Sequence, residues 1–256
     1  MSLSWRDRVL LTLAPGEVAL LRQRRGGKGS TREKTTVACP PVANAPAWQG
    51  AIEGLRELLR HPDLRPADAD VVLSNHFVRY LLMPWNAGLA GEREELAFAT
   101  ARFAQTYGDA AKGWSVRVSP GKPGAASLAA AVEQGLVDAV VALLQGSPLR
   151  LRSLQPALVE ACNGRSRSVA SNAWIAMAEP GRLLLGLQRD GHWRSLRSRP
   201  LNGAAVSLAA LIDQELLLLG VEPAGEKIYL QQSGAAPVDV AGLQVERWTA
   251  AAEDAR

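Results

Sequence analysis

Two similar stretches, one in each half of the chain, constrain the fold most. Each has an apolar run, a Pro-Gly turn and a second apolar run, at residues 9–21 around Pro15-Gly16 and at residues 173–185 around Pro180-Gly181. A glycine-bearing turn and a third strand-like run follow each of them. Because proline presets φ and glycine accepts positive φ, both turns indicate strand reversal. The sequence therefore predicts that a three-stranded meander opens each half.

The elements predicted after the two meanders follow the same order. In the first half the predicted elements are strands at 7–13, 17–24 and 33–39, a helix at 47–60 and a strand at 70–74. In the second half they are strands at 173–178, 182–188 and 192–199, a helix at 204–219 and a strand at 226–231. Asn202 is the predicted N-cap of the second helix, and Gly220 its C-terminal stop. The repeated order predicts an α/β fold with two duplicated lobes rather than a chance match of hairpins.

The first lobe is predicted to contain an insertion. A strand at 77–83 precedes a helix at 92–107, whose spacing places Leu96, Ala99, Phe103 and Tyr107 on one buried face. The elements predicted next are strands at 114–119 and 126–132, a helix at 133–145, a strand at 149–153 and a short helix at 156–162. The predicted domains are a first lobe at 1–163, with an inserted subdomain at about 86–132, and a second lobe at 164–256. Residues 238–248 are predicted to form a last strand.

Composition excludes several classes of protein. The chain has 256 residues, is 47% hydrophobic and has a net charge of +4, which suits a sizeable core and does not by itself indicate nucleic-acid binding. No apolar run reaches the length of a membrane-spanning helix, and the first residues lack the pattern of a signal peptide. Cys39 and Cys162 lack metal-ligand spacing, so we expect free thiols in a reducing cytoplasm.

No catalytic motif is present in the sequence. Residues 27–30 read Gly-Lys-Gly-Ser, but Arg22 stands where a phosphate-binding loop needs its first glycine, and no helix pattern follows. The three histidines lie at predicted turns or element ends, no nucleophile elbow occurs, and no acidic cluster has metal-ligand spacing. We therefore expect no catalytic residues and no metal site.

Four stretches together resemble a known family. They are the strand 77–84 ending in Met83-Pro84 before Glu94-Glu95-Leu96, the segment 127–154, the short helix at Ala157-Leu158, and the glycine turn with its basic strand at 191–199. The layout resembles the actin-like ATPase superfamily, and within it the type IV pilus protein PilM and the cytoplasmic domain of the type II secretion protein GspL. The resemblance implies an actin-like, ribonuclease H-like fold.

The nucleotide motifs of that superfamily are degenerate here. The family carries Asp-x-Gly on the first strand of each meander, where the carboxylate positions the metal and the glycine lets backbone amides approach phosphate. The corresponding triplets are residues 12–14 and 176–178, which lack both carboxylates and both glycines. The resulting cleft residues are Thr12, Ala14, Gly16, Ala176, Ala178, Gly181, Ser233 and Gly234. We expect no ATP hydrolysis and no required cofactor. ATP binding stays an alternative because of the turn residues Glu17 and Glu179, which either face solvent or substitute for the missing carboxylates as metal ligands.

The resemblance also implies a partner. PilM-like proteins bind a short cytoplasmic peptide of a membrane-anchored assembly protein, in a groove near the inserted subdomain. The expected function is a cytoplasmic pseudo-ATPase adaptor in pilus or type II secretion-like assembly, peripheral to the inner membrane through its partner. Candidate peptide contacts are Arg79, Tyr80, Trp85, Phe103 and Tyr107, although Phe103 and Tyr107 equally suit the core.

An arginine-rich stretch leaves two further alternatives open. Residues 165–199 contain seven arginines together with Trp174 and Trp193, a composition that also occurs in binders of single-stranded nucleic acid or of anionic lipid. Strand alternation predicts that Arg197 and Arg199 share a face. A solvated surface explains the same pattern, and we expect nucleic acid not to be the partner.

Overall fold

The computed structural model describes residues 7–26, 29–89, 91–119, 121–165, 170–201, 205–234, 236 and 238–248. The strands are β1 Asp7–Leu13, β2 Glu17–Gly26, β3 Gly29–Ala38, β4 Ala67–Leu73, β5 Val78–Met83, β6 Trp114–Ser119, β7 Ser127–Glu133, β8 Leu149–Pro156, β9 Ala173–Glu179, β10 Arg182–Arg189, β11 His192–Pro200, β12 Val206–Ser207, β13 Lys227–Gln232, β14 Val238–Asp239 and β15 Val245–Trp248. The helices are α1 Gln49–Leu59, α2 Glu92–Tyr107, α3 Gln134–Gln145, α4 Ala157–Arg165 and α5 Leu208–Leu219, with a 3-10 helix at Gly108–Gly113.

The two large sheets share one topology. Their strand orders are β3-β2-β1-β4-β8 and β11-β10-β9-β13-β15. In each sheet the first three strands form an antiparallel meander, and the later strands join parallel to its first strand. A helix precedes the first parallel strand in both, namely α1 before β4 and α5 before β13. The duplicated α/β fold predicted from the two Pro-Gly turns is confirmed.

The central strands have apolar sequences because both faces of each sheet are covered. Every residue of β9 is buried, and β4 is buried at all positions but one. Helix α1 packs on the first sheet through Ile52 and Leu55, and α5 packs on the second through Leu208 and Ile212. The two lobes thus have separate apolar cores of similar design.

The small sheet within the first lobe has the order β5-β7-β6. Strand β5 pairs antiparallel with β7 over Val78–Met83, so this sheet begins before residue 86, the predicted start of the inserted subdomain. The predicted buried face of α2 is partly wrong. Ala99 and Phe103 are fully buried, whereas Leu96 and Tyr107 are each 37% exposed, because the helix covers a sheet of only three strands.

Two further predictions near the C-terminus need correction. Helix α5 begins at Leu208 rather than 204, and its N-cap is Ser207, whose Oγ accepts a hydrogen bond from the amide of Ala210. Asn202, the predicted cap, lies outside the described residues. The predicted strand at 238–248 is two short strands, β14 and β15, which pair in different sheets. Gly220 ends α5 in the left-handed conformation, as predicted.

No helix within the described residues is long and apolar enough to cross a membrane.

Candidate functional site

A cleft of 390 Å³ lies where the two large sheets face each other. Its walls come from all three strands of the first meander, the ends of β4 and β9, the start of α4, and the end of β13 with the residues after it. The cleft has the size of a typical small-ligand pocket. It lies beyond the carboxyl ends of parallel strands, the position at which open α/β sheets bind ligands.

The predicted cleft residues divide into two groups. Five line the cleft: Thr12, Ala14, Ala178, Ser233 and Gly234. Ala176 is instead fully buried in the core of the second lobe. Gly16 lies in the exposed turn after β1, and Gly181 adopts φ +80° in the turn after β9. These last three positions therefore shape the strands and turns around the cleft without lining it.

The charges around the cleft do not suit a metal-bound triphosphate. Three carboxylates, those of Glu17, Glu160 and Glu179, line it together with one ammonium group, that of Lys34. Lys34 Nζ lies 3.9 Å from a carboxylate oxygen of Glu17, and both side chains are about half exposed. Among the described residues, no three His, Cys, Asp or Glu side chains are grouped so that they could hold a metal ion. The wall of the cleft therefore has more negative than positive side chains, which disfavours a polyphosphate ligand.

Glu179 is the buried carboxylate of the cleft. Its side chain accepts hydrogen bonds from the hydroxyl of Ser74, from the amide N–H of Asn75 at 2.9 Å and from Asn75 Nδ2 at 2.7 Å. The Tyr80 hydroxyl donates in turn to Asn75 Oδ1 at 2.8 Å. Since Ser74 and Asn75 follow β4 of the first lobe and Glu179 ends β9 of the second, this network joins the lobes. The idea that Glu179 faces solvent is wrong, because only 8% of it is exposed.

His76 lies at the edge of the same junction. Its Nε2 is 2.9 Å from the carbonyl oxygen of Pro180, across the two lobes. Burial lowers the pKa of His76, and the nearby Glu179 carboxylate partly opposes that effect. The neutral imidazole is therefore favoured in the folded protein.

Solved structures with the same arrangement of lobes are known. The cytoplasmic domain of EpsL from Vibrio cholerae, an inner membrane component of the type II secretion system, gives a TM-score of 0.60 at 13% identity over 95% of this chain and 89% of that one. A PilM-PilN type IV pilus biogenesis complex gives 0.59 at 17% identity over 89% and 82%. A Bacteroides thetaiotaomicron protein with an actin-like ATPase fold gives 0.57 at 11% identity over 91% and 84%. The chain has the actin-like ATPase fold. Neither a protein-family model nor a curated protein matches the sequence.

The predicted peptide contacts occupy different environments in this actin-like structure. Phe103 is fully buried beneath Tyr107 and Trp114, with ring centroids 6.1 Å from each, so it supports these rings and is not exposed itself. Tyr80 is held by its hydrogen bond to Asn75. Trp85 is 53% exposed and lines a separate pocket of 210 Å³ beside Phe98 on α2. Tyr107 and Trp85 are thus the exposed aromatic members of the predicted set.

Two of the three arginines of strand β11 lie beside one buried carboxylate. Arg197 and Arg199 share a face, as predicted, and both turn toward the buried Glu215 of α5, with nitrogen–oxygen distances of 2.7 and 3.9 Å. Arg189 pairs with Glu226 in the same lobe. Arg167 lies outside the described residues. Three of the seven arginines of residues 165–199 thus lie beside carboxylates, which weakens the positive surface that a nucleic-acid backbone would bind.

Sequence reasoning did not identify Ser74 and Asn75. The duplication of the lobes could have identified Ser74, because Ser74 and Ser233 occupy matching positions in the two lobes. The amide of Ser74 donates to the carbonyl of Leu13 at the end of β1, and the amide of Ser233 donates to that of Ala178 near the end of β9. Predicting Ser233 as a cleft residue therefore implied Ser74 as well.

Proposed function

We infer that the chain is a cytoplasmic actin-like pseudo-ATPase that serves as an adaptor, binding a short segment of a membrane-anchored partner in a pilus or type II secretion-like assembly. The observation that supports this proposal most directly is that Glu179 is buried and hydrogen-bonded. This carboxylate is the buried acid of the cleft, and three hydrogen bonds from Ser74 and Asn75 already use its oxygens. A group engaged in joining the lobes is not free to hold a metal or to orient a water molecule.

The two strand positions where the superfamily carries Asp-x-Gly support the same proposal. Thr12 and Ala14 on one side and Ala178 on the other line the cleft with a hydroxyl and methyl groups instead of carboxylates. Because Thr12, Ala14 and Ala178 have no carboxylate, these positions would provide no ligand for the Mg²⁺ that stabilises the developing charge of phosphoryl transfer.

The partner is inferred from the structural neighbours. One neighbour is the cytoplasmic domain of an inner membrane component of the type II secretion system, and another is PilM in a complex with PilN. An actin-like chain with this cleft suits an adaptor role, because binding a partner segment needs an exposed groove and no catalytic group. The exposed Trp85 beside its 210 Å³ pocket provides an anchoring surface near the small sheet.

Photo-cross-linking in cells tests the adaptor role. A photoreactive amino acid is placed at Trp85 in the full chain, and at Arg56 on α1 as a matched exposed control. We expect a cross-link from position 85 to the cytoplasmic segment of a protein with a membrane span, and none from position 56. Cross-links from position 85 to soluble enzymes or to nucleic acid alone would contradict the adaptor role.

Nucleotide binding without hydrolysis is a second candidate function. It is favoured by the 390 Å³ volume of the cleft and by Lys34 at its wall. Glu17, which is exposed at the start of β2, is the carboxylate that could move toward a metal if nucleotide binds. The two candidate functions differ in a direct nucleotide titration, which is described at the end of the Discussion.

A further inference from the structure

Two arginines at the lobe junction are held in the same unusual way. Arg79 on β5 donates through Nη1 to the backbone carbonyls of His76 and Val78, at 3.1 and 3.3 Å. Arg182 at the start of β10 donates through Nη1 to the hydroxyl of Ser198, at 2.8 Å. No carboxylate of the described residues lies within ion-pair distance of either guanidinium. Each charge therefore lacks the partner that arginines usually have when partly buried.

The unpaired edge is the same in both side chains. Nε of Arg182 is buried and has no hydrogen-bond partner in the described structure, and Nη2 of Arg182 makes no hydrogen bond there either. For Arg79, only Nη1 bonds to the described residues. The Nε–Nη2 edge of a guanidinium is a fork that matches the two oxygens of a carboxylate. Fixing Nη1 by other contacts orients this fork without occupying it.

The two arginines lie at the same junction, because β5, which contains Arg79, contacts β11, which contains Ser198, the hydrogen-bond partner of Arg182. The His76 carbonyl binds Arg79, while the His76 ring contacts the Pro180 carbonyl, two residues before Arg182. Repulsion from Arg79 contributes to a lowered pKa of Arg182, second to burial. Both side chains are half-buried, and the rim at Pro180 and Ser198 is exposed. A ligand from solvent can therefore enter past this rim, and it must reach inward to the buried Nε of Arg182.

We propose that Arg79 and Arg182 form a recognition site for a single carboxylate, carried by an Asp or Glu side chain of the partner segment. The proposal rests on the adaptor function and names the chemistry of its ligand. The charged side chains that act on His76 at this junction are Arg79, Arg182 and Glu179, and their charges sum to +1. A monoanion balances this charge, whereas a phosphate dianion or a lipid surface brings an excess of negative charge.

The surroundings suit a peptide rather than a free anion. The Tyr107 and Trp114 rings, with centroids 5.0 Å apart, form an aromatic pair at the end of α2. Trp114 begins β6 at the same end of the small sheet as Arg79 on β5. An apolar residue beside the acidic one can pack on these rings while the carboxylate meets the arginines.

The test is a titration followed by NMR of the arginine Nε–Hε groups in the full chain. The probe is N-acetyl-aspartyl amide, which has one carboxylate, and N-acetyl-asparaginyl amide is its neutral control. We expect saturable shifts of Arg79 and Arg182 with a dissociation constant on the order of 10 mM for the acidic probe alone. The pKa of His76 should rise on binding, because the carboxylate offsets the two arginine charges.

Matched variants separate recognition from simple charge attraction. Arg79→Lys and Arg182→Lys keep the charge but lose the fork, and each should weaken binding about fivefold or more. Arg194→Lys, at an exposed position on β11, should leave binding unchanged.

Stronger binding of inorganic phosphate or of phosphatidylglycerol vesicles would overturn the proposal in favour of a phosphate site. Absence of saturable shifts up to about 100 mM probe would overturn it outright. Cross-linking at Trp85 remains an independent test of the adaptor function, so the two failures are distinguishable.

Discussion

At the scale of single residues, the hydrogen bonds of Glu179 give the strongest support to the proposed function. A carboxylate that is only 8% exposed needs hydrogen bonds from every side, and the residues after β4 provide them. The same side chain joins the two lobes. We propose that its role is structural and not catalytic, in which case mutation should reduce stability.

The Glu179→Gln variant tests this role. Its amide group has one acceptor oxygen in place of two, so one of the donors from Ser74 or Asn75 loses its partner inside the protein. We expect a loss of about 1–3 kcal/mol in the free energy of unfolding and a fall in Tm of roughly 3–10 °C, measured by urea and thermal denaturation. Glu17→Gln, at an exposed position beside the same cleft, is the control and should change stability by less than about 0.5 kcal/mol. Equal stabilities of the two variants would exclude the lobe-joining role.

The lowered pKa of His76 predicts how the free energy of unfolding depends on pH. Burial lowers its pKa in the folded state, with Arg79 and Arg182 acting in the same direction and Glu179 opposing them. The unfolded chain therefore binds the proton more readily than the folded one, so His76 favours folding above its ordinary pKa. This contribution is lost as the pH falls from there through the folded-state pKa.

The measurement is urea denaturation at a series of pH values from about 7.5 to 5. We expect stability to fall on the acid side of this range, and His76→Gln to reduce the slope. The His61→Gln variant, altered after the end of α1, is the comparison and should follow the parent. A His76→Gln slope equal to that of the parent would contradict the prediction.

At the scale of elements, the sequence predicted most helices and strands because turn residues and apolar periodicity agree locally. The Pro-Gly turns, the helix spacing of α1 and the Gly220 stop all coincide with structural boundaries. The predictions that were wrong concern positions whose burial or capping is determined by tertiary contacts. Leu96 and Tyr107 have helical spacing with Phe103, but nothing in the pattern of α2 shows that its sheet has three strands. Ser207 caps α5 because the short β12 extends the chain before it.

Helix α1 shows a contact that periodicity does not reveal. Glycines are unfavourable within helices, yet Gly50 and Gly54 lie in α1 on its buried face. A Cβ at Gly50 would lie 2.5 Å from the carbonyl oxygen of Pro40, and a Cβ at Gly54 would overlap Cys39 Sγ. The absence of side chains lets the helix approach the end of β3 closely.

The Gly54→Ala variant should be destabilised by about 1–3 kcal/mol through overpacking, although alanine is the better helix former. Cys39→Ala removes the overlapping sulfur and should restore much of that loss in the Gly54→Ala/Cys39→Ala double variant. A double-mutant cycle in urea denaturation measures the coupling. Additive effects of the two substitutions would show that α1 is not held this closely to β3.

At the scale of the whole molecule, the duplicated architecture could be predicted but the junction between lobes could not. Local turn residues identify each meander in the sequence, so the two lobes could be predicted. The bonds that join Ser74 and Asn75 to Glu179 span more than 100 positions in the chain and have no local signature. Likewise, Thr12 and Ala178 were predicted to meet across a cleft only because the family resemblance placed them there.

The central claim is that the cleft between the lobes no longer serves nucleotide chemistry. It combines a ligand-sized volume of 390 Å³ with an acid already committed to Ser74 and Asn75. Calorimetric titration of Mg²⁺-ATP into the purified chain, with ADP and metal-free ATP as controls, tests this most directly. We predict no binding heat and no change in Tm at millimolar nucleotide. Micromolar binding that depends on Mg²⁺ and disappears in Glu17→Gln would contradict the claim and would identify a cleft with replaced metal ligands.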